Sequence, residues 1–173
     1  MKKALVLVLS VTMLSGCGAS RFNDGYARFE KLPSRDADRK ASISIGRVPI
    51  RIASLFVGND HEAKLLLRHV DGVRVRTWAL KGDRERVHAK LRSMQTRLAE
   101  DGWEAVAVVQ DEGERVYLLM KTKRDAITGL VAMVSESNEV TMVNVMGRLE
   151  PEQLGQALAQ LDVDLPGVQV ARR

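Results

Sequence analysis

Between residues 104 and 147 the chain spells four strand-like runs: EAVAVVQ (104–110), ERVYLLMKT (114–122), ITGLVAMVS (127–135) and EVTMVNVMG (139–147). The links between them are short and made of turn formers: Asp111-Glu112-Gly113, Lys123 to Ala126, and Glu136-Ser137-Asn138. Parallel neighbours need a crossover of a dozen residues or more, so strands joined this tightly must pair as hairpins. An antiparallel meander is therefore the frame to which the rest of the chain must fit. Runs such as LVAMV are apolar on both sides, so both sheet faces need at least partial cover.

Helices before, between and after the strands supply that cover. The surest lies between Asp83, a capping residue, and Gly102. Its Val87, Leu91, Met94 and Leu98 repeat at four, three and four. In GRVPIRIASLFVG (46–58) strand and helix compete, with Pro49 and Gly58 favouring a short helix, and NDHEAKLLLRHVDG (59–72) resembles a second, with Asn59 and Glu62 at capping-box spacing and Gly72 suited to its exit. VRVRTWAL (73–80) alternates and reads as a strand. Pro151 opens a helix with Leu154, Leu158 and Leu161 on one stripe, and the tail 162–173 adds at most an edge strand. The expected fold is α+β: an antiparallel meander sheet with helices packed on one face, in a single domain over 43–161.

The N-terminus carries a different message. Lys2 and Lys3 precede ALVLVLSVTML (4–14), which as a helix would span roughly 17 Å, against about 30 Å of hydrocarbon in a bilayer. That is an export signal rather than a membrane span. Leu14-Ser15-Gly16-Cys17 then matches the lipobox of bacterial lipoprotein signals at all four positions. This likeness implies a diacylglycerol thioether on Cys17 and cleavage between Gly16 and Cys17, removing residues 1–16. Cys17 is the only cysteine, so once it is lipidated no thiol remains for a disulfide or for catalysis. The formal charge is +5, but Lys2 and Lys3 leave with the signal, and an exported chain meets no nucleic acid. Residues 17–42 read as the lipidated Cys and a polar tether. Phe22, Tyr26 and Phe29 are spaced to suit a short amphipathic helix as the alternative.

Chemistry is harder to find. His61-Glu62 begins a zinc-protease helix, but Leu65 stands where the second His is needed. His69 and His88 are then read as exposed histidines near helix ends. No Gly-x-Ser-x-Gly elbow and no phosphate-cradling glycine cluster occurs; Ser135 and Ser137 flank Glu136 in a turn. Asp111, Glu112 and Glu114, like Asp162 and Asp164, read as solvated carboxylates rather than Ca²⁺ ligands. No metal, cofactor or catalytic residue is assigned.

One surface is a candidate. Arg74, Arg76 and Trp78 share a side of their strand, as do Arg115, Tyr117 and Lys121 of theirs. If those sides coincide, the sheet shows a basic, aromatic face suited to an anionic envelope component. An ordinary solvated sheet face is the alternative.

Several stretches together resemble a family of bacterial envelope lipoproteins known as domain of unknown function 4252. They are IASLF (52–56), EAKLLLRHVDGVRV (62–75), LAEDGWEAVAVVQDEGERVYLLMK (98–121), ITGLVAMV (127–134) and VNVMGRLEPEQLGQAL (143–158). The resemblance brings no catalytic positions and implies a sensory or regulatory partner. The functional expectation is a lipid-anchored, non-catalytic protein that binds a protein or envelope component. It would sit in the outer membrane facing the periplasm, since Gly18 rather than Asp follows the lipidated residue; the inner membrane is the alternative site. An envelope-polymer hydrolase with unidentified acidic residues is the competing class.

Overall fold

A computed structural model describes residues 18–56, 61–111 and 114–149. The expected signal and Cys17, the Asn59 cap and the helix expected after Pro151 lie outside them. In chain order the elements are β1 (Ala37–Gly46), α1 (Arg47–Ala53), α2 (His61–His69), β2 (Val70–Leu80), α3 (Arg84–Glu100), β3 (Glu104–Asp111), β4 (Glu114–Lys123), β5 (Ala126–Ser135) and β6 (Glu139–Leu149). The fold is α+β, with one open, fully antiparallel six-stranded sheet in the order β1-β2-β6-β5-β4-β3.

The meander β3 to β6 forms as its turn chemistry demands. The β4–β5 turn places Arg124 and Asp125 at positive φ (51° and 61°), the requirement of a two-residue turn that follows the sheet twist. β2 then adds to the free side of β6, and β1 to β2. Gly72 belongs to β2 opposite Gly46 instead of closing α2, because α2 passes straight into the strand at Val70.

Between β2 and β3 the chain must cross the sheet from one side to the other, and α3 is that crossing. Asp83 caps it, accepting from the Arg86 N–H, and Gly102 leaves it at φ +83°, where a side chain would be strained. Val87, Leu91, Met94 and Leu98 are buried against Trp78, Tyr117, Leu119, Val131, Met133, Val140 and Met142. This is the inner face and the main core.

Residues 18–42, read as a polar tether, are not free chain. Their last six residues lie in β1, and Ala27, Phe29 and Leu32 sit in the core beside α3. Nor do Phe22, Tyr26 and Phe29 share a helix: Phe22 is 99% exposed whereas Phe29 is buried. Residues 19–36 form a strap across the inner face. Gly25 makes this possible, since a Cβ there would lie 1.8 Å from the Thr128 carbonyl oxygen. Glu30 pairs with Lys90 and Arg97, fixing the strap to α3 as well.

Among the described residues the outer face is covered at one end only. There Ile50 of α1 and Leu66 and Leu67 of α2 pack with Val70, Ile127 and Leu149 in a second, smaller cluster. Among the described residues no helix is long and apolar enough to cross a membrane.

Candidate functional site

Register decides the fate of the basic face. Arg74 stands opposite Asn144, Asn144 opposite Val131, and Val131 opposite Leu119. Trp78, Val140, Ser135 and Arg115 form the next but one row on the same side. The two sets of residues therefore do share a face, but it is the inner face, under α3 and the strap. Trp78 and Tyr117 are core residues, 4% and 1% exposed. Arg74 is 5% exposed and donates to the Ala27 carbonyl at 2.7 Å, its guanidinium 4.1 Å from the Tyr26 ring. Arg76 donates to the Phe29 carbonyl at 2.9 Å, Arg115 reaches Glu85 at 3.3 Å, and the Lys121 ammonium sits 5.9 Å from the Trp103 ring. A solvated docking face for an anionic component is thus the wrong reading. Arg74 and Arg76 are occupied in holding the strap, and Arg115 in pairing with Glu85 of α3.

Asn144 completes that work and was not singled out from sequence. Fully buried, it accepts from the Ala27 N–H at 3.0 Å and donates to the Gly25 carbonyl at 2.9 Å. The strap's peptide groups are thereby satisfied by side chains where no neighbouring strand exists. The available signal was an Asn in the middle of an otherwise apolar strand, EVTMVNVMG.

His88 also departs from expectation: it is 2% exposed rather than a surface residue. Its Nε2 lies 3.1 Å from Ser135 Oγ and its Nδ1 3.3 Å from Glu85 Oε1. Ser135 ends β5 rather than lying in the turn, and it is 0% exposed. Serine, histidine and carboxylate in line have the order of a nucleophile, its base and an orienting acid. Sealed beneath α3, however, Ser135 cannot meet a substrate carbonyl unless the helix moves. As arranged, the three groups satisfy one another. Burial draws the His88 pKa below its ordinary 6.5, against the raising effect of the Glu85 hydrogen bond. The imidazole is hence neutral at pH 7. Its contribution to stability is whole above about pH 6.5 and is lost as pH falls from there through the depressed folded-state value. Urea midpoints should therefore fall between pH 7.5 and 5 more steeply for the native protein than for His88→Gln. Parallel pH profiles would contradict it.

Among the described residues no three His, Cys, Asp or Glu side chains cluster as a metal site would require. His69 lies with Nδ1 2.9 Å from the Leu65 carbonyl oxygen at the end of α2.

What stays open among the described residues is the outer face. Ile43, Val75, Val143, Ala132, Leu118 and Ala107 are consecutive register partners, so one apolar row crosses all six strands. The row beyond it, from Ala41 through Thr77, Thr141, Val134 and Val116 to Val109, is nearly as apolar. Only the row on the other side, with Val73, Val145, Leu130 and Met120, packs under the small cluster of α1 and α2. Ile43 is 52% exposed, Val109 is 37% exposed, and Val75, Val143, Ala132 and Leu118 are part-exposed. Soluble proteins seldom leave so continuous an apolar strip in water unless something binds it.

A strapped, open antiparallel sheet with one face packed and the other part-covered defines an α+β domain whose prominent surface is apolar. The chain belongs to the family Domain of unknown function (DUF4252), whose model matches residues 35–157. That match begins just ahead of β1, eight residues before the boundary read from sequence. No curated protein and no solved structure matches the chain.

Proposed function

We propose that this protein is a lipid-anchored, non-catalytic component of the bacterial cell envelope whose open sheet face binds an apolar surface of a partner protein. The observation that carries the binding is the apolar row from Ile43 to Ala107 across six strands, exposed or part-exposed from Ile43 to Leu118 and buried only at Ala107, without a covering helix among the described residues. The anchoring rests on Leu14-Ser15-Gly16-Cys17, and the outer membrane on Gly18. A sensory or regulatory role fits a module that offers a binding surface. For the competing reading, a hydrolase of envelope polymers, the described residues offer the Ser135–His88–Glu85 line, and the burial of Ser135 weighs against it.

A photo-crosslinking residue at Val143, in whole cells, tests the binding. The expected product is one discrete adduct with a second protein, lost when Val75→Lys puts a charge in the same row. An adduct of twice the chain's mass would make the face a self-association surface. A crosslink to residues 150–173 of the same chain would make it an intramolecular seat. Either would overturn the reading.

The anchor has its own test. Cys17→Ser removes the sole thiol, so metabolic labelling with a fatty-acid analogue should disappear and the uncleaved precursor should accumulate. Equal label on the variant would refute lipidation at Cys17.

A further inference from the structure

Helix α1 is amphipathic in the reverse sense for a helix packed on a sheet. Ile50 alone is buried, while Val48, Ile52 and Leu55, spaced four and three along the helix and its exit turn, point outward. Their exposures are 65, 54 and 74%, and the adjoining Phe56 is 82% exposed. Basic side chains frame this stripe. Arg47 and Arg51 are one turn apart on α1, Lys64 and Arg68 one turn apart on α2, and with the stripe they line a groove of about 490 Å³. Apolar residues on one side of a helix with Lys and Arg beside them are the pattern of a helix that lies in a membrane interface.

The position of this patch in the fold is a second, independent observation. The Ala19 N–H donates to Ser44 Oγ at 3.1 Å, beside the end of β1 where α1 begins. Covalent geometry keeps Cys17 within about 7.6 Å of Ala19, Cα to Cα. Asp71 joins the two segments: it accepts from Arg47 Nε at 2.7 Å and from Asn23 Nδ2 at 3.3 Å. Asn23 follows Phe22, the most exposed large apolar side chain described. The same end of the sheet carries the β4–β5 turn with Lys123 and Arg124, and Arg148 near the end of β6.

We propose that this end of the domain lies against the bilayer to which Cys17 is attached. Val48, Ile52, Leu55, Phe56 and Phe22 enter the boundary between headgroups and acyl chains, and Arg47, Arg51, Lys64 and Arg68 meet anionic headgroup phosphates. The proposal rests on the lipid-anchor reading and goes beyond it, since an acyl anchor alone fixes no orientation. Basic side chains at a negatively charged leaflet add an attraction that falls off within a Debye length, so they act only where the surface is already close. With α1 facing the membrane, the open rows of the outer face extend away from it and stay accessible to a partner.

The test uses the mature, lipidated protein carrying Phe56→Cys, in which the acylated Cys17 leaves the new thiol as the only one. It is purified, spin-labelled and reconstituted in vesicles of phosphatidylethanolamine and phosphatidylglycerol at 3:1. Val109→Cys, at the far end of β3, serves as the control. Power saturation should show the label at 56 relaxed chiefly by membrane-dissolved oxygen and the label at 109 chiefly by an aqueous nickel chelate. In pure phosphatidylcholine the label at 56 should move toward the chelate. Mass spectrometry of the same sample reports the acyl groups on Cys17. An unmodified Cys17 overturns the anchor and the docking together. A lipidated protein with both labels equally exposed to the chelate overturns docking alone. Equal burial of the label at 56 in both kinds of vesicle overturns the part assigned to the basic residues.

Discussion

Arg74→Glu should lower the unfolding free energy by about 3–5 kcal/mol, the range found when a buried charge is left without compensation. Arg74 is 5% exposed, and its guanidinium fills the space between the Ala27 carbonyl and the Tyr26 ring. Burial lowers its pKa from the ordinary arginine value, with Tyr26 opposing that shift, yet an arginine stays charged in a protein at neutral pH. A glutamate there would aim a carboxylate at a carbonyl oxygen and bring no donor with it. On a solvated sheet face the same change would stay within about ±0.5 kcal/mol. Urea unfolding of purified protein separates the two cases. A midpoint equal to that of the native protein would mean that the strap is not stitched down through Arg74. Arg76→Glu, at a part-exposed position holding Phe29, should cost less.

Trp103→Ala should cost a similar amount, about 3–5 kcal/mol, for a different reason. The ring is 2% exposed and closes the core where α3 gives way to β3. Its backbone N–H still donates to the Leu98 carbonyl at 2.9 Å, so the variant keeps the helix exit and loses only the ring. Gly129 of β5 lies directly beneath, where a Cβ would approach Trp103 Cη2 to 2.6 Å and the Gly25 backbone to 2.7 Å. Removing the indole thus opens a void bordered by two close-packed backbones that have little freedom to collapse into it. Thermal melts should shift down by on the order of 10 °C. An unchanged melting temperature would show that Trp103 does not fill the core.

The parts of this fold that were legible in the sequence are those whose signal is local. α3 carries its cap, its apolar repeat and its terminal glycine within one stretch, and the meander carries its turns between its strands. β1 was not legible, because ADRKASISIG is an edge strand. Edges carry charge to discourage pairing with other chains, and Arg39 and Lys40 make the segment look like tether. The strap was hidden for another reason. Its peptides bond to Asn144, Arg74 and Arg76, residues 47 or more positions away, and no periodicity within the strap records that. The candidate binding face failed at the same point. Alternation correctly put Arg74, Arg76 and Trp78 on one side, but which side is covered depends on where α3 crosses and where the strap lies. The outer row was equally invisible until register aligned one residue from each of six strands.

The place of β6 in the sheet has a consequence for how the molecule comes into being. It is the last described strand in the chain, yet it stands between β2 and β5 and alone joins the β1–β2 pair to the β5-β4-β3 block. A chain emerging N-terminus first therefore has two strand blocks that no backbone pairing joins until β6 has arrived. Even the strap at 25–27 waits for Asn144, well over a hundred residues downstream. Such long-range closure slows folding, because loop entropy must be spent before the contacts form. A polypeptide whose sheet cannot close until its last described strand is made keeps an incomplete fold through most of its synthesis, which suits passage through a narrow pore.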